Sequence, residues 1–286
     1  MELLYGKPVA DSILDKVKSS VDALKVIGKR VPALVIVTVG DDPASKVYIN
    51  NKLKKAEEVG IKAEQKRFSE YIEQVVLEEV VTKLANDTEV DGIIIQLPLP
   101  KHLNESALMK LIPANKDVDG FGIENTGKLA LGVDGLKPCT PFGIMKLLEF
   151  YDIELEGKNV VVVGRSNIVG KPMATMLTQA NATVTLCHSK TKELDRITRG
   201  ADIVICAIGS PKLFTDYHFS YQQTIIDVGI HKVDGKICGD VNLEAIADLE
   251  RVYGNHELKI TPVPKGVGVL TVAMLLHNTL QARLTI

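Results

Sequence analysis

Residues 159–177 read NVVVVGRSNIVGKPMATML, and this stretch decides the fold. The valines that follow Asn159 form an apolar run without alternation, the pattern of a strand covered on both faces. Gly164 then opens a tight turn, Gly170 permits close backbone approach, and Pro172 suits the first turn of a helix. A strand running through such a turn into a helix aims free backbone N–H groups at an anion, most often a phosphate. Spacing excludes two related turns. A P-loop places four residues between its glycines and follows them with Lys and Ser or Thr. Here five residues intervene, and Lys171 is followed by Pro172. The G-x-G-x-x-G spacing also fails, because Ser166 holds the middle position. The segment is therefore a variant dinucleotide turn.

The next strand, ATVTLCHSK at 182–190, sharpens the cofactor. A site for NAD usually carries Asp or Glu at the end of this strand to hold the ribose hydroxyls. This strand ends instead at His188 and Ser189, with Lys190 and Lys192 beyond, and Arg165 sits in the phosphate turn. A guanidinium forks onto phosphate oxygens. The missing acid and the arginine together point to the 2′-phosphate of NADP, while Lys190 and Lys192 read as a solvated loop.

Outward from the turn, apolar runs alternate with amphipathic stretches. Strands are expected at 33–39, 61–68, 92–97, 159–163, 182–187, 202–208 and 224–229. Helices are expected at 8–28, 43–59, 71–86, 104–111, 141–151, 170–180, 191–199, 242–249 and 268–283. Strands separated by helices imply βαβ units and parallel sheets, an α/β fold. The segment 113–139 lacks clear periodicity and reads as a long functional loop at a domain edge. Thr140 is expected to cap the following helix with Pro141 in its first turn, which puts the lobe boundary there. The apolar final helix has no strand after it and can pack back on the first lobe.

The first lobe holds three polar features of interest. Asp42 and Pro43 start a helix on which Ser45, Tyr48 and Lys52 share one face, beside an apolar stripe of Ile49, Leu53 and Ala56. For an isolated Y-x-x-x-K the ordinary expectation is a packed tyrosine and a solvated lysine. Gln96 is the one polar side chain in IIIQLPLP, near the carboxyl end of a strand, and a buried amide there needs partners. The loop NKDVDGFG resembles a calcium loop at Asn115, Asp117, Asp119 and Gly120, but position 126 is Thr where the final Glu belongs. No metal site is expected, and Asp119 is either a turn former or a ligand contact.

Bulk composition sets broad limits. The chain has 286 residues, 45% hydrophobic and 24% charged, with net charge −2. That is enough apolar material for one large or two smaller domains, with no basic tract to recruit nucleic acid or an anionic membrane surface. Cys139, Cys187, Cys206 and Cys238 are too scattered for a zinc-type pair. The N-terminus lacks the pattern of a secretion signal and no apolar run is long enough to span a membrane, so the expected location is the cytoplasm.

An ordered series of motifs runs from about residue 5 to the C-terminus. It comprises Ser45-x-x-Tyr48-x-x-x-Lys52, QLPLP (96–100), KDVDGF (116–121), PCTP (138–141), GRSNIVGKP (164–172), DVGI (227–230), GDV (239–241) and TPVPKGVG (261–268). In this series the chain resembles the bifunctional methylenetetrahydrofolate dehydrogenase/methenyltetrahydrofolate cyclohydrolase family. The resemblance implies two lobes with a cleft between them. Residues 1–140 with 266–286 form the folate-binding catalytic domain, and 141–265 form a Rossmann-type NADP domain. It implies that Tyr48 stacks on the folate, that Lys52 is the catalytic group with Gln96 as its partner, and that Asp119 contacts the pterin. Pro264 and Gly268 fall on the substrate side. Gly164, Arg165, Ser166, Ser189 and Ile230 fall to the cofactor, and the family implies a homodimer. One departure stands out: where the family reads PGGVGP, this chain has Lys265 and Val269. Lys265 either pairs with the folate's glutamate tail or crowds it.

The implied chemistry uses one carbon twice. Hydride leaves the one-carbon bridge for NADP, giving a methenyl cation, and water then attacks that carbon to yield formyltetrahydrofolate. Hydride transfer needs orientation. Water attack needs a proton acceptor, a role that falls to Lys52 if burial and the cationic folate favour its neutral form. Two rival readings remain at this level: another two-domain NADP dehydrogenase without cyclohydrolase activity, and a non-catalytic NADP-binding homologue.

Overall fold

The computed structural model describes residues 1–41, 43–247 and 258–285. The expected cap Asp42, the side chain of Ser45 and the end of the expected helix at 242–249 lie outside the described part. Two compact units emerge, one made of Asp11–Cys139 with Val272–Ile286, the other of Met1–Ala10 with Thr140–Thr271.

The first unit is built on a three-stranded parallel sheet in the order β3-β2-β4. The central strand β2 (Ala33–Val39) is buried nearly throughout, as its apolar sequence requires. The edge strand β3 (Lys62–Phe68), KAEQKRF, is charged and only partly covered. The short β4 (Gly92–Ile95) is wholly buried. Helix α3 (Gln74–Asn86) lays Leu77, Val81 and Leu84 on this sheet at helical spacing, packing with Val35, Val37, Ile93 and Ile95. Lys116 is buried and its ammonium donates to the carbonyls of Leu84 and Asp87, closing the C-terminal end of that helix. The C-terminal helix (Gly268–Leu284) is apolar on almost every side, and its bulk lies in this unit. It is tied there by Asn278, whose amide donates to Val118 O and Lys137 O at 2.8 Å each, and by Arg283, which donates to Arg30 O.

The second unit carries a six-stranded parallel sheet in the order β1-β11-β8-β7-β5-β6. Its members are β1 (Glu2–Leu3), β5 (Asn159–Val163), β6 (Thr183–Cys187), β7 (Ile203–Cys206), β8 (Thr224–Asp227) and β11 (Lys259–Ile260). Its core gathers Val161, Val163, Val204, Cys206, Phe214, Ile225 and Ile260. A hairpin of β9 (His231–Val233) and β10 (Lys236–Cys238) projects after β8. Its two-residue turn is Asp234-Gly235, both at positive φ, the conformation that a type I′ hairpin demands.

Two expectations are corrected. The segment 113–139 is not one loop: Ile123–Leu131 forms a helix, stabilised by a Glu124–Lys128 ion pair at 2.7 Å and ended by Gly132 in the left-handed region. Only Asn125 and Leu129 of that helix are buried, too few to show as a periodic stripe. Thr140 does not cap the next helix but lies inside it (Cys139–Phe150), its hydroxyl paired with that of Thr271 at 2.9 Å. Residues 1–10 cluster by contact with the second unit, where β1 pairs with β11. Among the described residues, no helix is long and apolar enough to cross a membrane.

Candidate active site

Helix α2 (Pro43–Glu58) carries Lys52 on the same side as buried Ile49 and Ala56, so the lysine is 6% exposed rather than solvated. A buried ammonium needs partners. Its Nζ donates to Gln96 Oε1 at 3.1 Å and lies 5.6 Å from the centroid of the Tyr48 ring, one helical turn earlier. Gln96 directly follows β4. Its backbone N–H donates to Val37 O, and its Nε2 donates to Leu97 O, which leaves Oε1 turned to the lysine. Tyr48 is partly exposed at 36%, so its ring keeps a solvent-facing surface beside the amine.

Asp119 reaches this group by way of a loop that runs beside β4. Asp117 bridges to Ile93, and the Ile93 N–H donates to Lys116 O. Asp117 is itself a buried hub. Its carboxylate accepts from Phe121 N, Gly122 N and Asn125 Nδ2 at 3.2, 2.8 and 2.9 Å. On the other side, Asn278 holds Val118 O. Gly120 sits at φ +72, where a Cβ would meet the Lys137 and Pro138 backbone at 2.6 Å, so only glycine closes this turn. Burial raises the Asp119 carboxyl above its ordinary range and the Lys52 charge pulls it back. Burial also pushes the Cys139 thiol well up, so that residue is a small core group and not a nucleophile. The sequence reading singles out neither Asn125 nor Asn278, and names Asp117 only within the rejected calcium-like loop. Asn278, the amide buried in an otherwise apolar helix, carries the one signal that was available.

In the second unit, the turn after β5 has the geometry its glycines require. A Cβ on Gly170 would land on Gly164 O, and a Cβ on Gly164, at φ +131, would strike Ala207 O. Ser166 Oγ accepts from Val169 N at 3.1 Å and Gly170 N at 3.3 Å, which braces the start of helix α7 (Gly170–Gln179). Arg165 is exposed and, among the described residues, has no ion-pair partner. Ser189 lies exposed in the turn after β6, as do Lys190 and Lys192. Ile230 is 54% exposed and packs close to Gly268, where a Cβ would meet its Cδ1 at 2.7 Å. Pro264 is exposed in the loop before the C-terminal helix. Lys265 beside it holds φ +87, with its carbonyl accepting from Gly6 N at 2.9 Å.

The fold thus brings Tyr48, Lys52, Gln96 and Asp119 together in one unit, and groups Gly164–Ser166 at the carboxyl ends of parallel strands in the other. A buried lysine held by an amide, together with a glycine turn where the strand order reverses, defines a two-domain α/β enzyme of the nicotinamide dinucleotide class. Residues 4–119 match the family model for the tetrahydrofolate dehydrogenase/cyclohydrolase catalytic domain, and 138–285 match that for its NAD(P)-binding domain. The chain is 49% identical over 283 residues, 98% of its length and 97% of the relative's, to a bifunctional FolD protein of Sulfurihydrogenibium. The crystal structure of the FolD enzyme of Campylobacter jejuni superposes with a TM-score of 0.94 at 43% identity, each chain covered completely. The FolD of Trypanosoma brucei, solved with NADP and an inhibitor, superposes with a TM-score of 0.89 at 33% identity, with 98% of this chain and 96% of that one covered. The chain belongs to the tetrahydrofolate dehydrogenase/cyclohydrolase family.

Proposed function

We propose that this protein oxidises 5,10-methylenetetrahydrofolate with NADP and hydrolyses the methenyl product to 10-formyltetrahydrofolate. The observation that carries this reading is the burial of Lys52 against Gln96 beside a partly exposed tyrosine ring. Tyr48 offers a flat face for the pterin, and Asp119 offers an acceptor for its N–H groups. Lys52 acts as the base in its neutral amine form, taking the proton of the attacking water, while Gln96 Oε1 accepts a hydrogen bond from the amine. NADP is the cofactor. It supplies the hydride acceptor, while this chain's residues bind and orient it. Arg165, exposed and without an ion-pair partner among the described residues, can pair with the 2′-phosphate, and the turn at 164–166 receives the diphosphate, with Ser189 and Ile230 flanking it. The family resemblance assigns Pro264 and Gly268 to the substrate as well.

The test is absorbance of the methenyl species in purified protein. Accumulation on adding methylenetetrahydrofolate and NADP, and decay of supplied methenyl substrate without NADP, are both expected. NADP reduction without methenyl decay would leave a dehydrogenase only, and binding without turnover would leave a cofactor-binding homologue. The resemblance also implies a homodimer and a cytoplasmic location; sedimentation of the purified protein at micromolar concentration would test the dimer.

A further inference from the structure

The motifs DVGI and GDV contribute two buried carboxylates that neither half-reaction uses. Asp227 closes β8, where it accepts from Gly229 N at 3.1 Å, Asp240 N at 2.9 Å and Val241 N at 3.0 Å. Burial raises its carboxyl to about 6. Asp240 is fully buried and accepts four hydrogen bonds. Its Oδ2 takes Ile208 N at 2.8 Å and Gly209 N at 3.1 Å, and its Oδ1 takes Ser210 N at 2.9 Å and His231 Nε2 at 2.8 Å. The two aspartates lock reciprocally. A Cβ on Gly239 would strike the Asp227 carboxylate, and a Cβ on Gly229 would strike that of Asp240, so each motif's glycine makes room for the other motif's acid.

The position of this lock matters more than its strength. The chain passes from β5 to β6 on one side and returns to β7 on the other, so the strand order reverses at β5. Ligands of open α/β sheets bind at the carboxyl ends beside such a reversal. The loop at 207–210 leaves β7 there, close enough to the phosphate turn that Gly164 tolerates no side chain against Ala207. Three successive N–H groups, at 208, 209 and 210, would make a cradle for an anion. Here the chain's own Asp240 fills it, so this loop is a fixed wall and the diphosphate is left to the turn at 164–170. The fourth bond, from His231, fixes the residue next to Ile230, which forms the second wall.

We infer that Asp240 is a positioning residue for the cofactor half-reaction, one carboxylate that holds both the Ile208–Ser210 loop and the Ile230–His231 segment in place for NADP. The inference rests on the reading of Gly164–Ser166 and Ile230 as cofactor contacts. The loop and the turn belong to one unit, while Lys52, Gln96 and Asp119 belong to the other, so the two activities report separately.

The experiment is Asp240→Asn, with dehydrogenase kinetics in NADP and cyclohydrolase turnover measured without it. The amide presents an N–H₂ to donors that need an acceptor, and the NADP KM should rise about tenfold or more. Methenyl hydrolysis should stay within about twofold. His231→Leu removes one of the four bonds and should raise the NADP KM by about two- to fivefold, whereas His231→Gln, whose amide still donates, should restore it. An unchanged NADP KM in Asp240→Asn, or a parallel fall of both activities, overturns the inference. If Asp240→Asn does not fold, the histidine pair decides: equal NADP KM values in the Leu and Gln variants overturn it. Arg165→Ala run alongside separates the two levels. If that variant binds NADP normally, the cofactor reading itself is wrong; if it is weakened and Asp240→Asn is not, only the role of Asp240 falls.

Discussion

On the proposed reading, the Lys52 site and the glycine turn at 164–170 differ in which atoms would carry the chemistry. Around Lys52 the work falls to side chains on regular elements: an amine on a helix, an amide at a strand end, a carboxylate on a loop pinned by two buried asparagines. In the turn it falls to backbone, and the side chains matter chiefly by being absent. A site that moves protons needs groups held out of water in one geometry. A site that holds a phosphate needs converging N–H groups and room for close approach.

Substitutions at the two sites should therefore fail in different ways. The largest effect is expected at Lys52→Met, which removes the only proton acceptor assigned to water attack. Cyclohydrolase turnover should fall about 10³-fold or more, with NADP affinity unchanged and some dehydrogenase activity left, because hydride transfer needs no base. Near-normal methenyl decay in this variant would end the assignment. In the turn, Gly170→Ala forces a methyl onto Gly164 O and close to Arg165 N, all of it backbone. A destabilisation on the order of 3 kcal/mol is expected, together with loss of NADP binding. The same change at Gly127, helical and with open space around its Cβ position, should stabilise by about 0.5–1 kcal/mol. Thermal melts of the pair would show whether the turn's glycines are required sterically, since shifts of one sign would contradict the contrast.

Arg165→Ala tests a place where the backbone site depends on a charged side chain. Loss of a charge-assisted contact worth roughly 1.5–3 kcal/mol should weaken NADP about ten- to a hundredfold and leave NAD binding almost as it was. Equal use of NAD and NADP by the wild type would refute the argument from the missing acid at Ser189.

A small effect is also expected at Lys265, which holds φ +87 where glycine is at ease. Lys265→Gly relieves that strain but gains chain entropy in the unfolded state, so a net stabilisation of about 1 kcal/mol is expected, or about 2–4 °C in melting temperature. If the exposed ammonium also pairs with the folate tail, the variant's folate KM should rise slightly at low salt and the difference should vanish at high salt. A lower KM insensitive to salt would show that the lysine obstructs.

The contrast also explains what could be read in advance. The strand–turn–helix at 159–179 was legible because its determinants are local: a buried strand, glycines at the tight points and a proline at the helix start all lie within a dozen residues. The strands 33–39 and 159–163 were legible for the same reason, since burial on both faces leaves unbroken apolar runs. The helix Ile123–Leu131 was not, because only two of its residues face a core. Lys52 illustrates the limit best. Its sequence neighbourhood predicts a solvated lysine, and only the approach of β4 from forty-four residues away supplies the amide that makes burial tolerable.

The sequence by itself determined the α/β class, the strand–turn–helix at 159–179, NADP as the cofactor and the family, all of which depend on short-range pattern or on ordered motifs. Tertiary structure decided the environment of every buried charge. Asp117, Asp227 and Asp240 look like ordinary turn formers in the chain, yet each accepts at least three hydrogen bonds, from residues between two and thirty-two positions away. A carboxylate's role depends on which donors surround it and how much water reaches it, and both are properties of the packed chain.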